Sequence, residues 1–178
     1  MFFRSVYNTD QVIVPPYKEH FIVGNEESPY HCKEMQSIVL KDTEQWYETI
    51  CKTTLRQTKL NRAVLVICKF VAQVEQLANR LEKKYSSNRI FTYTGRENFE
   101  KETVEVGEII IATNIAGRGT DLTPADMVEK HGGLHVCITF LPVSYRVELQ
   151  NTGRTARQGR KGTAQLVLLD PECRSVEL

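Results

Sequence analysis

The chain has 178 residues, 41% of them hydrophobic and 25% charged, and its 23 basic and 22 acidic side chains leave a net charge of +1. That length suits one soluble globular domain that buries roughly two-thirds of its unfolded surface without covalent staples. The charge balance excludes a global field that would draw in nucleic acid or anionic lipid, so any anion site has to be local.

The apolar runs are strand-sized, far short of the roughly 20 residues a membrane span needs, and the opening residues do not read as a signal peptide. Five cysteines (Cys32, Cys51, Cys68, Cys137, Cys173) are scattered, with no C-x-x-C pair and no paired histidine ligands. Such an odd, dispersed set predicts a reducing, cytoplasmic setting in place of a disulfide framework or a metal site.

Residues 2–14 are apolar and β-branched and stop at Pro15-Pro16, and residues 17–41 have weak periodicity and mixed polarity, so residues 1–41 read as an irregular lead-in. Asp42 has Gln45 three residues on, which is the spacing of a helix cap. The helix it opens sets Trp46, Ile50, Thr54 and Tyr47, Cys51, Leu55 at steps of four. Residues 63–68 (AVLVIC) form a continuous apolar run, as expected of a strand buried on both faces. Val71, Val74, Ala78, Leu81 and Tyr85 then mark one face of an amphipathic helix. Residues 90–93 predict a short strand and residues 108–113 (EIIIAT) a second buried one. Thr123-Pro124 predicts a cap and first helical position, with Gly132-Gly133 closing that helix. Residues 134–140 predict a strand, Ser144 caps a helix running to about Arg157, and residues 163–169 predict the last strand. Strands alternating with helices imply an α/β fold: a parallel sheet covered on both faces with right-handed crossovers. The folded α/β unit is expected over residues 42–170, with a tail at 171–178.

Eight of the ten glycines lie between Gly107 and Gly162, so the special loops belong to the second half. The strand EIIIAT runs straight into Asn114-Ile115-Ala116-Gly117-Arg118-Gly119-Thr120-Asp121. In open α/β sheets, ligands bind beyond the carboxyl ends of strands. This loop sets a guanidinium, a hydroxyl and a carboxylate among glycines that allow close backbone approach. Arginine suits bidentate phosphate contact and aspartate can accept from a ribose hydroxyl, although a structural turn pairing Arg118 with Asp121 fits this segment equally well. Gln150, Arg154 and Arg157 fall at i, i+4 and i+7, the spacing of one helical face, and Arg160 and Lys161 follow in a glycine-flanked turn. Two arginines and an amide on one stripe are suited to neutralising a triphosphate. The sequence contains no G-x-x-x-x-G-K-[ST] loop and no acidic pair after a strand to hold magnesium, so the economical reading is half of a composite site.

These residues resemble a known pattern. IIIATNIAGRGTDL (109–122) closely resembles helicase motif V of SecA-type translocase ATPases, and QNTGRTARQGRKG (150–162) resembles their motif VI. HGGLHV (131–136) is similar to the stretch that links the two motifs, and FFRSVYNTDQVIVPP looks like the lead into the second nucleotide-binding lobe. The resemblance implies a RecA-like lobe of the P-loop NTPase, helicase C-terminal type. It makes Arg157 the arginine finger and Arg154 its support at the phosphates, with Gly117, Arg118, Gly119, Thr120, Asp121, Gln150 and Gly153 at nucleotide-contacting positions. It implies ATP as substrate, with magnesium held by a first lobe. The implied partners are that lobe, unfolded polypeptide and a membrane translocon, which puts the chain in the cytoplasm or peripherally at a membrane. Where SecA proteins read T-E-R-H-E-S-R-R before motif VI, this chain has Thr139-Phe140-Leu141-Pro142-Val143-Ser144-Tyr145-Arg146, the pattern of a divergent member. The alternatives are a nucleic-acid helicase lobe, disfavoured by the near-zero charge, and a catalytically incomplete binding or regulatory module.

Overall fold

The computed structural model describes residues 32–95, 101–114, 122–156 and 160–170, with the side chains of Tyr145, Arg146 and Leu149 outside that description. In chain order its elements are β1 (Cys32–Glu34), β2 (Ile38–Leu40), α1 (Thr43–Lys59), β3 (Val64–Cys68), α2 (Val71–Glu82), β4 (Ile90–Tyr93), β5 (Thr103–Val104), β6 (Ile109–Thr113), β7 (Thr123–Pro124), α3 (Asp126–Lys130), β8 (Leu134–Ile138), α4 (Tyr145–Thr152) and β9 (Gly162–Leu169). Among the described residues the main sheet runs β1, β9, β8, β3, β6, β4, with β2 also on β9. Every pairing in it is parallel. The fold is α/β, as the alternating pattern predicts.

The three central strands β3, β6 and β8 are buried at every residue. Their odd and even positions feed two different cores, because successive strand side chains point to opposite faces. On one face α1 and α2 bring Trp46, Ile50, Cys51, Val74, Leu77, Ala78 and Leu81 onto Val64, Val66, Cys68, Ile109, Ile111, Cys137 and Val167. On the other, Leu65, Ile67, Ile110, Ala112, Leu134, Val136 and Ile138 meet Val104, Leu122, Val128 and Phe140 from short elements and loops.

Local chemistry explains α1. Asp42 is its N-cap, and its Oδ1 accepts from the Gln45 amide at 2.8 Å, while Arg56 and Lys59 sit in the last turn where the helix dipole favours cations. Trp46 is 2% exposed, and its Nε1 donates to the Val167 carbonyl at 2.8 Å, which pins α1 to β9. α2 buries Leu77 as well as the stripe read from the sequence, while its first residue, Val71, is exposed. Tyr85 lies past the end of α2 and donates its hydroxyl to the Gly107 carbonyl at 2.9 Å.

Two predicted elements are corrected. Within the supposed irregular lead-in, Cys32–Glu34 and Ile38–Leu40 are strands that add in parallel to β9. They are too short to carry a periodicity of their own, and pairing to a long neighbour holds them. Thr123 and Pro124 do not cap a helix. The Thr123 amide donates to the Glu102 carbonyl at 2.8 Å and the Ala125 amide to the Val104 carbonyl at 3.0 Å. The ladder with β5 therefore claims these residues, and α3 starts at Asp126 with Ala125 as N-cap. Residues 1–31 and 171–178, including the apolar stretch 2–14, lie outside the described residues.

Candidate functional site

Residues 115–121, which carry Gly117, Arg118, Gly119, Thr120 and Asp121, lie outside the described residues, but both ends of that loop are placed. The Asn114 amide donates to the Cys68 carbonyl at 2.9 Å, so the loop leaves from the carboxyl edge of β6, as the sheet rule predicts. It returns at Leu122, which is buried in the second core, and enters β7 beside β5. β5 lies on the amino-terminal side of the sheet, for the Glu105–Glu108 turn that follows it leads into β6 and donates the Gly107 amide to the Arg62 carbonyl.

The motif VI segment departs from the one-face expectation. α4 begins after Ser144, whose carbonyl accepts from the Val147 and Glu148 amides at 3.0 and 3.1 Å, and it ends at Thr152. Gln150 is on the helix and exposed, whereas Gly153 and Arg154 are in the turn beyond it, and Arg157 lies outside the described residues. Gln150, Arg154 and Arg157 are therefore not three positions on one continuous helix. Thr155 is the reason. Its Oγ1 donates to the Leu134 carbonyl at 2.6 Å, and Ala156 takes a positive φ of 55°. A residue anchored to a neighbouring strand with a left-handed successor cannot continue a right-handed helix.

That anchor also fixes the edge of the sheet at which the turn lies. Leu134 is the first residue of β8 and pairs with Gly162, the first of β9. The turn bearing Arg154 thus sits at the amino-terminal end of these strands, and α4 crosses the second face to reach it.

Glycine backbone is packed tightly here. A Cβ on Gly133 would stand 1.7 Å from the Lys161 carbonyl oxygen, and one on Gly162 would stand 1.8 Å from Thr155 Oγ1. Only glycine allows these approaches. The first contact locks the HGG corner to the segment after Arg157, and the second locks that segment to Thr155 ahead of Arg157. Two further bonds tie in the exit of the motif V loop: Arg160 Nη1 donates to the Pro124 carbonyl at 2.7 Å, and the Lys161 amide donates to Glu129 Oε1 at 2.5 Å.

Sequence reasoning missed Arg62, which is 6% exposed. Its Nε donates to the Gly133 carbonyl at 2.9 Å, Nη2 to the Gly132 carbonyl at 2.8 Å and Nη1 to Gln57 Oε1 at 3.0 Å. Burial pulls its pKa below the usual guanidinium value. Its signal was faint: a charged residue directly ahead of a fully apolar strand. His135 is wholly buried, with Nδ1 2.7 Å from Thr163 Oγ1 and Nε2 without a hydrogen-bond partner. Burial first, and the Arg62 charge second, push its pKa down to about 3, so it is neutral and belongs to the core. Among the described residues no group of three His, Cys, Asp or Glu side chains could hold a metal ion, and no helix is long and apolar enough to cross a membrane.

A family model described as the SecA P-loop domain matches residues 29–126, more than half of the chain. The chain belongs to the SecA P-loop domain family. The protein translocase subunit SecA of Clostridium perfringens is 31% identical over 170 residues, 93% of this chain and 19% of that protein. The SecA of Lawsonia intracellularis is 28% identical over 169 residues, with the same coverage, and SecA 2 of Bacillus thuringiensis is 29% identical over 172 residues, 93% of this chain and 20% of that protein. This SecA-family chain spans about a fifth of the length of those relatives. Among solved structures it resembles Mss116p DEAD-box helicase domain 2 bound to an RNA duplex (TM-score 0.57, 17% identity, covering 82% of this chain and 59% of that one). It also resembles the C-terminal domain of the DEAD-box protein Dbp5 (TM-score 0.57, 16% identity, covering 83% and 82%). At such identities the likeness shows the fold, a RecA-like lobe of the helicase C-terminal kind.

Proposed function

We propose that this chain is the second RecA-like lobe of a SecA-type ATPase motor and supplies the arginine side of an ATP site. A first lobe, in cis or in trans, supplies the phosphate loop, the carboxylates that hold magnesium and the catalytic base. One observation carries the reading: two segments distant in sequence are bound to each other, Arg160 to the Pro124 carbonyl at 2.7 Å and the Lys161 amide to Glu129. Pro124 follows Asp121 by three residues and Arg160 follows Arg157 by three. The ends of the G-R-G-T-D loop and of the arginine turn are therefore neighbours, as a shared nucleotide site needs.

In this reading Arg157 is the finger on the γ-phosphate and Arg154 supports the phosphates. Arg118 and Asp121, with Gly117, Gly119 and Thr120, contact the nucleotide beside Gln150 and Gly153. Phosphoryl transfer spreads negative charge over the γ-phosphoryl oxygens, and an arginine offered to it is worth about 10³ to 10⁵ in rate. Closure of the two lobes delivers that charge and hydrolysis lets them reopen. In the whole motor the cycle drives unfolded polypeptide through a membrane translocon, with the chain in the cytoplasm or peripheral to the membrane.

The test pairs this chain with the first lobe of a SecA relative. The pair should hydrolyse ATP while the chain alone does so negligibly. Arg157→Ala should lower turnover by about a thousandfold with nucleotide affinity nearly unchanged. Equal loss of both would remove the finger role, and tight ATP binding by the isolated chain in calorimetry would contradict the half-site. Stimulation by unfolded polypeptide supports the translocase; stimulation by RNA alone counts against it.

A further inference from the structure

We infer that Arg62 is a positioning residue for the arginine turn, because its buried guanidinium holds the Gly132–Gly133 corner, against which one flank of that turn packs, while the other flank is bonded to the next residue, Leu134. The inference rests on the ATP-site reading for what the turn does, and on the contacts alone for how the turn is held.

Arg62 lies where α1 ends and β3 begins, remote in sequence from motifs V and VI. Its guanidinium donates to two successive main-chain carbonyls, Gly132 and Gly133, and to the Gln57 side chain. None of these acceptors is charged. A buried cation bonded to uncharged acceptors is tolerated only while its donors stay engaged. The arginine therefore enforces the position of both carbonyls as much as it is held by them. Gly132 and Gly133 take φ values of +100° and +74°, a corner that the planar fork clasps from one side.

The turn leans on the other side of the same corner. The Lys161 carbonyl is packed against Gly133 with no room for a methyl group, and Thr155 Oγ1 bonds to the carbonyl of the next residue, Leu134. Gly162 closes the stack by lying directly against Thr155 and the Ala156 amide. Residues 155–156 and 161–162 flank Arg157 on either side, so both flanks take their place from residues 133–134. A displacement of the Gly133 carbonyl is passed on through the backbone contact with Lys161 and the short Thr155 side chain, which leave little room to cushion it. An apolar residue at position 62 would fill the space without orienting either carbonyl. A lysine would present one point charge where the fork presents three separate donors.

The full chain carrying Arg62→Lys tests this by deuterium exchange and by catalysis. Amides in residues 153–162 should exchange about tenfold faster while those of α1 and α2 keep their rates. With a SecA first lobe, kcat should fall about tenfold with KM nearly unchanged, and Arg62→Ala should regain part of that loss in millimolar guanidinium. Gln57→Leu removes one acceptor and leaves the guanidinium in place. It should shift exchange in the same direction by less, and it serves if the lysine variant does not fold. Unchanged exchange at 153–162, or a rise spread evenly over α1 and α2, overturns the inference. If the wild-type pair shows no turnover, or Arg157→Ala leaves it intact, the ATP-site reading fails while the exchange pattern still decides the role of Arg62.

Discussion

The two faces of the sheet are built in different ways. Under α1 and α2 the core is side chain on side chain, with Trp46, Ile50, Val74, Leu77 and Leu81 locked onto alternate residues of four strands. The opposite face has short elements, a two-stranded ladder and turns, and it includes two close glycine approaches, Gly133 to the Lys161 backbone and Gly162 to Thr155. The first arrangement tolerates exchange of one apolar side chain for another of similar volume. The second tolerates almost nothing at its contact points, yet it holds in register the segments that carry the proposed ATP chemistry. The helical face supplies stability, and the loop face uses it to hold precise backbone positions.

The sharpest way to break that contrast is Gly133→Ala. With 1.7 Å between the new Cβ and the Lys161 oxygen, and a positive φ besides, denaturant unfolding should show a loss of more than about 3 kcal/mol. A loss under 1 kcal/mol would mean that the backbone stack can open freely.

The pH dependence probes the buried strand β8, where His135 Nδ1 lies 2.7 Å from Thr163 Oγ1 and feels the Arg62 charge. The folded chain holds His135 at about 3, against an ordinary 6.5 when unfolded. The unfolded chain therefore takes up a proton that the folded chain refuses. Its contribution is complete above about pH 6.5 and is lost as pH falls from there toward 3, by up to about 1.4 kcal/mol per pH unit. Midpoints measured at pH 7 and pH 5 should differ less in His135→Gln than in the parent chain, and equal differences would refute the assignment.

Three smaller changes sharpen the account of the helical face. Trp46→Phe keeps most of the volume and deletes the bond to the Val167 carbonyl, so it should cost about 1 to 2 kcal/mol; fluorescence is lost with the indole, so circular dichroism should follow the melt. Asp42→Ala removes the cap on the Gln45 amide and should cost about 1 kcal/mol. Glu44→Gln loosens the two-pronged contact from Arg80, but Glu44 is 72% exposed, so a change above about 0.5 kcal/mol would be a surprise that points to the Arg80 packing on the Tyr47 ring.

Much of the helical face was legible in the sequence. The Asp42 cap, the 3.6-residue steps of α1 and α2 and the unbroken apolar strands are each decided by neighbours within a few residues. The loop face was legible in composition and not in shape. Glycine and arginine between positions 107 and 162 marked the proposed site, yet the end of α4 at Thr152 depends on Thr155 finding a carbonyl on β8, 21 residues away in the chain. The strands at 32–34 and 38–40 were hidden for the same reason, because their pattern belongs to β9 and not to themselves.

By itself the sequence determined the α/β class, the buried centre of the sheet and the two family-bearing segments, since periodicity and local residue chemistry are enough for those. Only the tertiary structure decided where the segments meet. The bonds from Arg160 to Pro124 and from Lys161 to Glu129 bring them together, and Arg62 stands behind the glycine corner. Long-range hydrogen bonds and the absence of a Cβ act between residues whose separation along the chain carries no pattern.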